Sequence, residues 1–310
     1  MRLASYLLIA NPVAGRGAGA VRAETLRSLL ASDNEVELAT TSGRGNATAL
    51  ARSRGANVDR VIAIGGDGTL NEVVTGLMSL GDSLETRPAL GFLPAGTANV
   101  AASAFGFSQD PAEAARRLSS ARGRPVDVGV AEVAGSTRSF LLWCGAGVAA
   151  VVIDELNSAR TGHMGVTGLV MNSPRGMAGL VRYSAPRIRI SADGEDASPA
   201  ASVILANVGE VAFGGTVHPG ASPFDGRLDV VMTESASPFA VLMDGACMML
   251  SSLTASPRVR HQTAKVVTLD GDQAVPVQID GEPVGGLPVS VRLHEGAICI
   301  LVDEVDQAAH

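Results

Sequence analysis

Short, wholly apolar runs alternate with longer amphipathic ones over the first third of the chain. Residues 6–10 (Tyr6-Leu7-Leu8-Ile9-Ala10), 61–64 (Val61-Ile62-Ala63-Ile64) and 89–93 read as strands buried on both faces, and 35–40 as a further strand. Between them the period lengthens. Val21, Leu26, Leu29 and Leu30 mark a helix over 20–31, a second is expected over 47–54, and Leu70, Val73, Val74 and Leu77 follow helical spacing after Thr69. Further helices are expected over 100–104 and 111–120. A βαβαβ order of this kind predicts a parallel sheet with right-handed crossovers.

The texture changes at Arg122-Gly123-Arg124-Pro125. Beyond it, strands are expected over 126–133, 138–143, 187–191, 202–207, 228–233, 265–269, 275–279 and 289–293. Only 148–156 and 238–251 have helical character. Period-two alternation and dense turn signals predict an antiparallel sandwich or barrel. The expected division is an α/β domain over 1–123 and a β-rich domain over 124–295.

In the first domain each strand runs out into polar or glycine-rich sequence: Asn11-Pro12-Val13-Ala14-Gly15, Thr40-Thr41, Gly65-Gly66-Asp67-Gly68-Thr69 and Pro94-Ala95-Gly96-Thr97-Ala98-Asn99. Ligands of open α/β sheets bind at that edge. Gly65, Gly66 and Gly68 predict a turn with positive φ, and Thr69 a helix cap. Strand, glycine turn and helix start together make a place for a phosphate. Asp67 inside that turn would repel a phosphate, which points to Mg²⁺ or to a hydroxyl held for reaction.

Composition narrows the function. The chain is 46% apolar and 18% charged with net charge −7 and no dense arginine run, which argues for a globular protein and against nucleic acid as a partner. Its one lysine, Lys265, fits neither a Walker loop nor a protein-kinase strand, so any ATP chemistry needs another design. Cys144, Cys247 and Cys299 lack metal spacing and suit reduced cytosolic thiols. His163, His218, His261 and His294 are scattered without zinc spacing, and no Gly-x-Ser-x-Gly elbow occurs. Gly145-Ala146-Gly147 imitates a dinucleotide turn, but no second strand with an acidic end follows it, so close packing explains it better. No apolar run is long enough to span a bilayer.

Asp-Gly pairs recur, and Asp193 and Asp270 are expected to be hairpin turns only. Asp280-Gly281-Glu282 differs, because two carboxylates flank a glycine directly after a strand and could bind Mg²⁺ or deprotonate a hydroxyl. Asp225-Gly226-Arg227-Leu228-Asp229, following Pro219-Gly220-Ala221-Ser222, could hold a cation with carboxylate and backbone oxygens. Spacing alone decides neither.

As an ordered set, Asn11-Pro12-x-x-Gly15, Gly65-Gly66-Asp67-Gly68-Thr69-x-Asn71-Glu72, Pro94-x-Gly96-Thr97-x-Asn99, Asp225-Gly226-x-x-Asp229 and Asp280-Gly281-Glu282 resemble the diacylglycerol kinase catalytic-domain family. That group includes bacterial soluble lipid kinases and sphingosine kinases, and is related to NAD kinases. The resemblance implies a two-domain kinase with ATP in the interdomain cleft, and a C-terminus (296–310) that returns to the first domain. By position it places Asn11, Gly15, Thr40 or Thr41, Gly65–Thr69, Asn71, Glu72, Gly96, Thr97 and Asn99 with the nucleotide. Asp280 or Glu282 becomes the base, with Asp67 beside the chemistry, and Ser222, Asp225 and the Arg227 carbonyl a structural Mg²⁺ site. Many bacterial members have Asp where this chain has Val100, and sphingosine kinases have a small apolar residue there.

The implied activity is transfer of the ATP γ-phosphate to a lipid hydroxyl, such as that of diacylglycerol or a sphingoid base. An NAD-kinase-like enzyme with a soluble acceptor, or a non-catalytic nucleotide or lipid sensor, are the alternatives. The expected setting is cytoplasmic and peripheral to the inner face of a membrane; Arg175 and Arg182 flank a Met-rich stretch over 171–180 that reads either as a plain surface loop or as a membrane-docking lip. Oligomeric state, a homodimer included, stays open.

Overall fold

In the computed structural model, residues 3–81, 83–151, 187–211, 214–235, 237–272 and 274–302 are described. The chain divides into two units, Met1–Val128 with His294–His310, and Gly129–Leu293.

The first unit opens β1 (Ser5–Ala10), α1 (Ala18–Leu30), β2 (Glu35–Thr40), α2 (Asn46–Arg54), β3 (Arg60–Gly65), α3 (Asp67–Met78) and β4 (Ala89–Pro94). It continues through α4 (Val100–Phe105), α5 (Pro111–Ser120) and the start of β5 (Arg122–Val133). The strands lie in the order β2-β1-β3-β4 and run parallel. Leu7, Leu8 and Ile9 of β1 and Val61 to Ile64 of β3 are fully buried, as strands covered on both faces must be. Edge strand β2 instead alternates, with Glu35 and Glu37 exposed between half-buried Val36 and Leu38. Local signals set the helix starts. At α5, Pro111 occupies the first turn and Asp110 accepts the N–H groups of Ala112 and Glu113 at 2.7 and 2.9 Å.

The second unit contains β6 (Ser136–Phe140), β7 (Trp143–Gly147), β8 (Ile188–Ala192), β9 (Glu195–Ala200), β10 (Ser202–Ala206) and β11 (Leu228–Thr233). Then come α6 (Pro238–Met249), β12 (Val259–Ala264), β13 (Val266–Asp270), β14 (Pro276–Ile279), β15 (Glu282–Gly286) and β16 (Val289–Val302). One antiparallel sheet has the order β12-β11-β10-β7-β14-β15. The other pairs the first half of β16 with β13, then β8 and β9. Leu205, Val230 and Val277 of the first sheet share one apolar core with Leu269, Ile190 and Val291 of the second, which makes this unit a sandwich. The far end of β16 belongs to the first unit, where Ile300 pairs in parallel with Leu90 of β4 and the buried Arg87 donates to the Ala297 carbonyl at 2.5 Å.

Four strands depart from the sequence-based expectation. β9, β12 and β15 lie at sheet ends, where Glu, Arg, Pro and Gly are tolerated, so their sequences lack the apolar alternation of a half-buried strand. β7 is central, yet glycine-rich for a reason of space: a Cβ on Gly145 would stand 2.6 Å from Gln278 Nε2. Its antiparallel partners β10 and β14 rule out a dinucleotide-binding turn at Gly145-Ala146-Gly147. Asp193-Gly194 closes the β8–β9 hairpin with φ of 51° and 87°. Asp270-Gly271 does not close a hairpin, since β13 and β14 belong to different sheets. The lip over 171–180 with Arg175 and Arg182, His163, and the end of the helix expected over 148–156 lie outside the described residues.

Candidate active site

The first unit brings its strand ends together through backbone bonds. The Asn11 N–H donates to the Ile64 carbonyl at 2.8 Å, Thr41 to Ala10 at 2.8 Å, and Ala95 to Gly65 at 2.6 Å. Four loops therefore meet along one edge of the parallel sheet. Asn11 Nδ2 reaches Thr69 Oγ1 at 3.4 Å, and Asn11 Oδ1 accepts the N–H of Val13 at 3.2 Å. Gly15, with φ of 57°, comes so close to the β4 loop that a Cβ would fall 2.2 Å from the Ala95 carbonyl oxygen.

The glycines of the central turn act by their size. Gly66 has φ −97° and ψ −177°, and neither Gly65 nor Gly68 has positive φ, contrary to the expectation from sequence. A Cβ on Gly65 would lie 2.4 Å from Thr69 Oγ1, and one on Gly96 2.6 Å from the Cα of Gly66. Two loops thus cross backbone to backbone. Thr69 is also not the cap: α3 begins at Asp67 with Gly66 as N-cap, and Thr69 is buried in its first turn. Gly68 lies in that first turn, in which the N–H groups of Thr69 and Leu70 donate to the Gly66 carbonyl at 2.9 and 3.1 Å.

Asp67 is held by protein rather than placed in open repulsion with a ligand. The N–H groups of Val100 and Ala101, at the start of α4, donate to its two carboxylate oxygens at 3.0 Å each. These amides offset its charge and fasten the β3 turn to the β4 loop. The Val100 contribution to this contact is its backbone N–H, and its apolar side chain is buried.

Other motif residues have structural partners too. Asn99, buried with φ of 48°, accepts the Gly96 N–H at 3.0 Å and donates to the Gly96 carbonyl at 2.8 Å. Glu72 accepts the N–H groups of Gly45 and Ala47 at 2.7 and 3.1 Å, so its carboxylate caps α2. Thr40 and Thr97 are exposed, Thr41 and Asn71 half-buried. Gly19 was missed from sequence: its missing Cβ leaves room for the Asn11 carbonyl, 2.2 Å from where that atom would stand. The alternation Gly15, Gly17, Gly19 is the signal that could have found it.

In the second unit Asp280 and Gly281 have φ of 46° and 82° and form the two-residue turn between β14 and β15. Asp280 is nevertheless more than a turn residue. Its buried carboxylate accepts the N–H groups of Leu141, Leu142 and Trp143 at 3.2, 3.0 and 3.0 Å, and its own N–H donates to the Trp143 carbonyl at 2.9 Å. Most of its acceptor capacity is thereby engaged. Glu282, two residues on, is half-buried. At the other candidate, exposed Asp225 accepts the Arg227 N–H at 3.0 Å, and half-buried Ser222 stands at the head of the same loop. Carboxylate, hydroxyl and carbonyl are the oxygen donors that a hard divalent cation takes, so these residues fit Mg²⁺.

Comparison with known proteins agrees with this layout. Residues 5–131 match the diacylglycerol kinase catalytic domain, and residues 144–302 match the YegS C-terminal NAD kinase beta sandwich-like domain. This chain belongs to the diacylglycerol kinase family. Among its relatives, the "Probable lipid kinase YegS-like" protein of Chromohalobacter salexigens is 30% identical over 84% of this chain and 81% of its own. The diacylglycerol kinase of Bacillus subtilis is 27% identical over 91% of this chain and 90% of its own. The crystal structure of a diacylglycerol kinase from Bacillus anthracis str. Sterne shares the fold at a TM-score of 0.74 and 23% identity, covering 98% of this chain and 99% of that one. Another structure from that organism reaches 0.78 at 25% identity, over 98% and 97%. The family's N-terminal α/β domain and C-terminal β sandwich are both present. Among the described residues, no helix is long and apolar enough to cross a membrane.

Proposed function

We propose that this member of the family is an ATP-dependent lipid kinase that transfers the γ-phosphate to a lipid hydroxyl, such as that of diacylglycerol or a sphingoid base. The observation that carries the reading is the fastening of the β3 turn to the β4 loop, by Asp67 on the amides of Val100 and Ala101 and by Gly96 against Gly66. This builds a rigid glycine-lined edge, with Asn11, Thr69 and exposed Thr97 around it, suited to the phosphates of a nucleotide.

Transfer to a hydroxyl needs positioning, charge neutralisation and a base, with little covalent work from the protein. Glu282 takes the acceptor proton. Asp280 is the positioning residue, because three backbone N–H groups hold its carboxylate and set the turn that presents Glu282. Ser222, Asp225 and the Arg227 carbonyl would hold a structural Mg²⁺, and a second Mg²⁺ arriving with ATP would neutralise charge on the transferring phosphoryl group. On this reading the enzyme works at the cytoplasmic face of a membrane, where ATP and a lipid acceptor meet.

A panel assay tests the reading: purified protein with Mg²⁺-ATP and, in turn, diacylglycerol in mixed micelles, a sphingoid base, NAD and buffer. Phosphorylated lipid is the expected product. Phosphorylation of NAD alone would replace the lipid acceptor by a soluble one. Nucleotide binding without transfer to any acceptor would point to a sensor.

A further inference from the structure

Histidines without zinc spacing in the sequence are brought together by the topology of the second unit. Asp229 lies on β11 and His261 on β12, where Asp229 pairs with Thr263 and His261 with Val231. They are therefore diagonal neighbours on one face of the antiparallel pair. His261 Nε2 stands 2.6 Å from Asp229 Oδ1, and His218 Nε2 stands 3.8 Å from the same oxygen. The two rings lie 4.2 Å apart between centroids, tilted by 33°. One ligand atom from each residue falls within a mutual 4.8 Å.

We propose that His218, Asp229 and His261 form a binding site for a borderline divalent metal ion of the Zn²⁺ class, distinct from the Mg²⁺ residues at Ser222, Asp225 and Arg227. Two imidazole nitrogens and one carboxylate oxygen are the donor set such ions prefer, whereas Mg²⁺ and Ca²⁺ take oxygen. Around a tetrahedral zinc ion, ligand atoms are spaced roughly 3.4 Å apart given the usual Zn–N and Zn–O bond lengths. The observed 2.6 and 3.8 Å bracket that spacing, so small ring movements close the site.

Neighbouring residues support the arrangement. His218 Nδ1 is 3.2 Å from Thr254 Oγ1, which fixes the ring with Nε2 toward Asp229 in the way that outer partners orient metal-binding histidines. Gly220 gives that ring its space, since a Cβ there would stand 2.8 Å from His218 Nε2. The Asp229 side chain is only 5% exposed, and the His218 and His261 side chains are 23% and 28% exposed. The carboxylate is thus at the floor and the imidazoles at the rim, which leaves an entry for an ion. Binding displaces to solvent the proton shared by His261 Nε2 and Asp229 Oδ1. An ion here would tie β11 and β12 to the segment carrying His218, just ahead of the Ser222–Arg227 loop.

The test uses the full chain stripped of metal by chelation and titrated with Zn²⁺ alone against a chromophoric competitor, with Co²⁺ absorption and thermal unfolding as parallel readouts. The expected result is one tight equivalent of Zn²⁺, tetrahedral Co²⁺ bands and a Zn²⁺-dependent rise in Tm. His218→Ala and His261→Ala should each weaken Zn²⁺ by about 100-fold or more, and Thr254→Val by about tenfold. Both histidines are partly exposed, so circular dichroism can verify that each variant is folded. Excess Mg²⁺ should not compete. Absence of tight Zn²⁺ binding by wild type, or an equivalent that survives the H218A/H261A double substitution, overturns the proposal.

Discussion

At Asp67 two carboxylate oxygens each receive a backbone N–H, from Val100 and Ala101. An amide in its place must turn its NH₂ toward one of those donors. Asp67→Asn is therefore expected to lower stability by about 1–3 kcal/mol, besides lowering kinase activity by at least about tenfold. Chemical denaturation beside a rate assay checks both, and an unchanged midpoint would contradict the fastening role. Asp280 and Glu282 should separate in the same way. Glu282→Gln is expected to reduce kcat by about 10²–10⁴ with KM for ATP and Tm little changed, while Asp280→Asn lowers Tm as well. Residue types at both motifs were legible in the sequence, but which carboxylate is engaged was not, because that depends on amides of Leu141 to Trp143 far away in the chain. Cys144 offers a further check. Full burial, with the nearby Asp280 charge adding to it, pushes its thiol up to about 12. A thiol reagent at mild alkaline pH should leave Cys144 unmodified in the folded protein and reach it only after denaturation; native-state labelling of Cys144 would contradict that burial.

Among elements, the crossing of the β3 turn and the β4 loop is the most demanding. Gly65→Ala would put a Cβ against Thr69 and Gly96→Ala one against the backbone of Gly66, at 2.4 and 2.6 Å. Each is expected to cost about 1–3 kcal/mol, and Gly96→Ala to weaken nucleotide binding more, since a backbone cannot rotate away as a side chain can. Calorimetry with ATP alongside thermal melts measures the two effects; alanine tolerated at both positions would mean the loops do not cross this closely. The buried parallel strands β1, β3 and β4 could be read from their apolar runs because strands covered on both faces are apolar throughout. Edge strands β9, β12 and β15 could not, as their pairing partners supply what their sequences lack. The glycines marked the turn between β3 and α3, but suggested positive φ where the structure uses closeness.

For the whole molecule, the first unit is discontinuous in sequence. Ile298 and Ile300 are fully buried, and Ala297 gives its carbonyl to Arg87, so residues 297–302 complete that unit's core. A fragment ending at Val128 should expose this surface and fail to give a cooperative thermal transition, which scanning calorimetry would detect. Phosphoryl transfer itself is read by following the label of γ-³²P-ATP into the organic extract of diacylglycerol or sphingoid-base micelles with Mg²⁺. The expected result is labelled phospholipid that depends on Mg²⁺ and on enzyme concentration and is nearly lost in Glu282→Gln. Lipid that stays unlabelled with every acceptor, from protein that is folded and binds ATP, would contradict it.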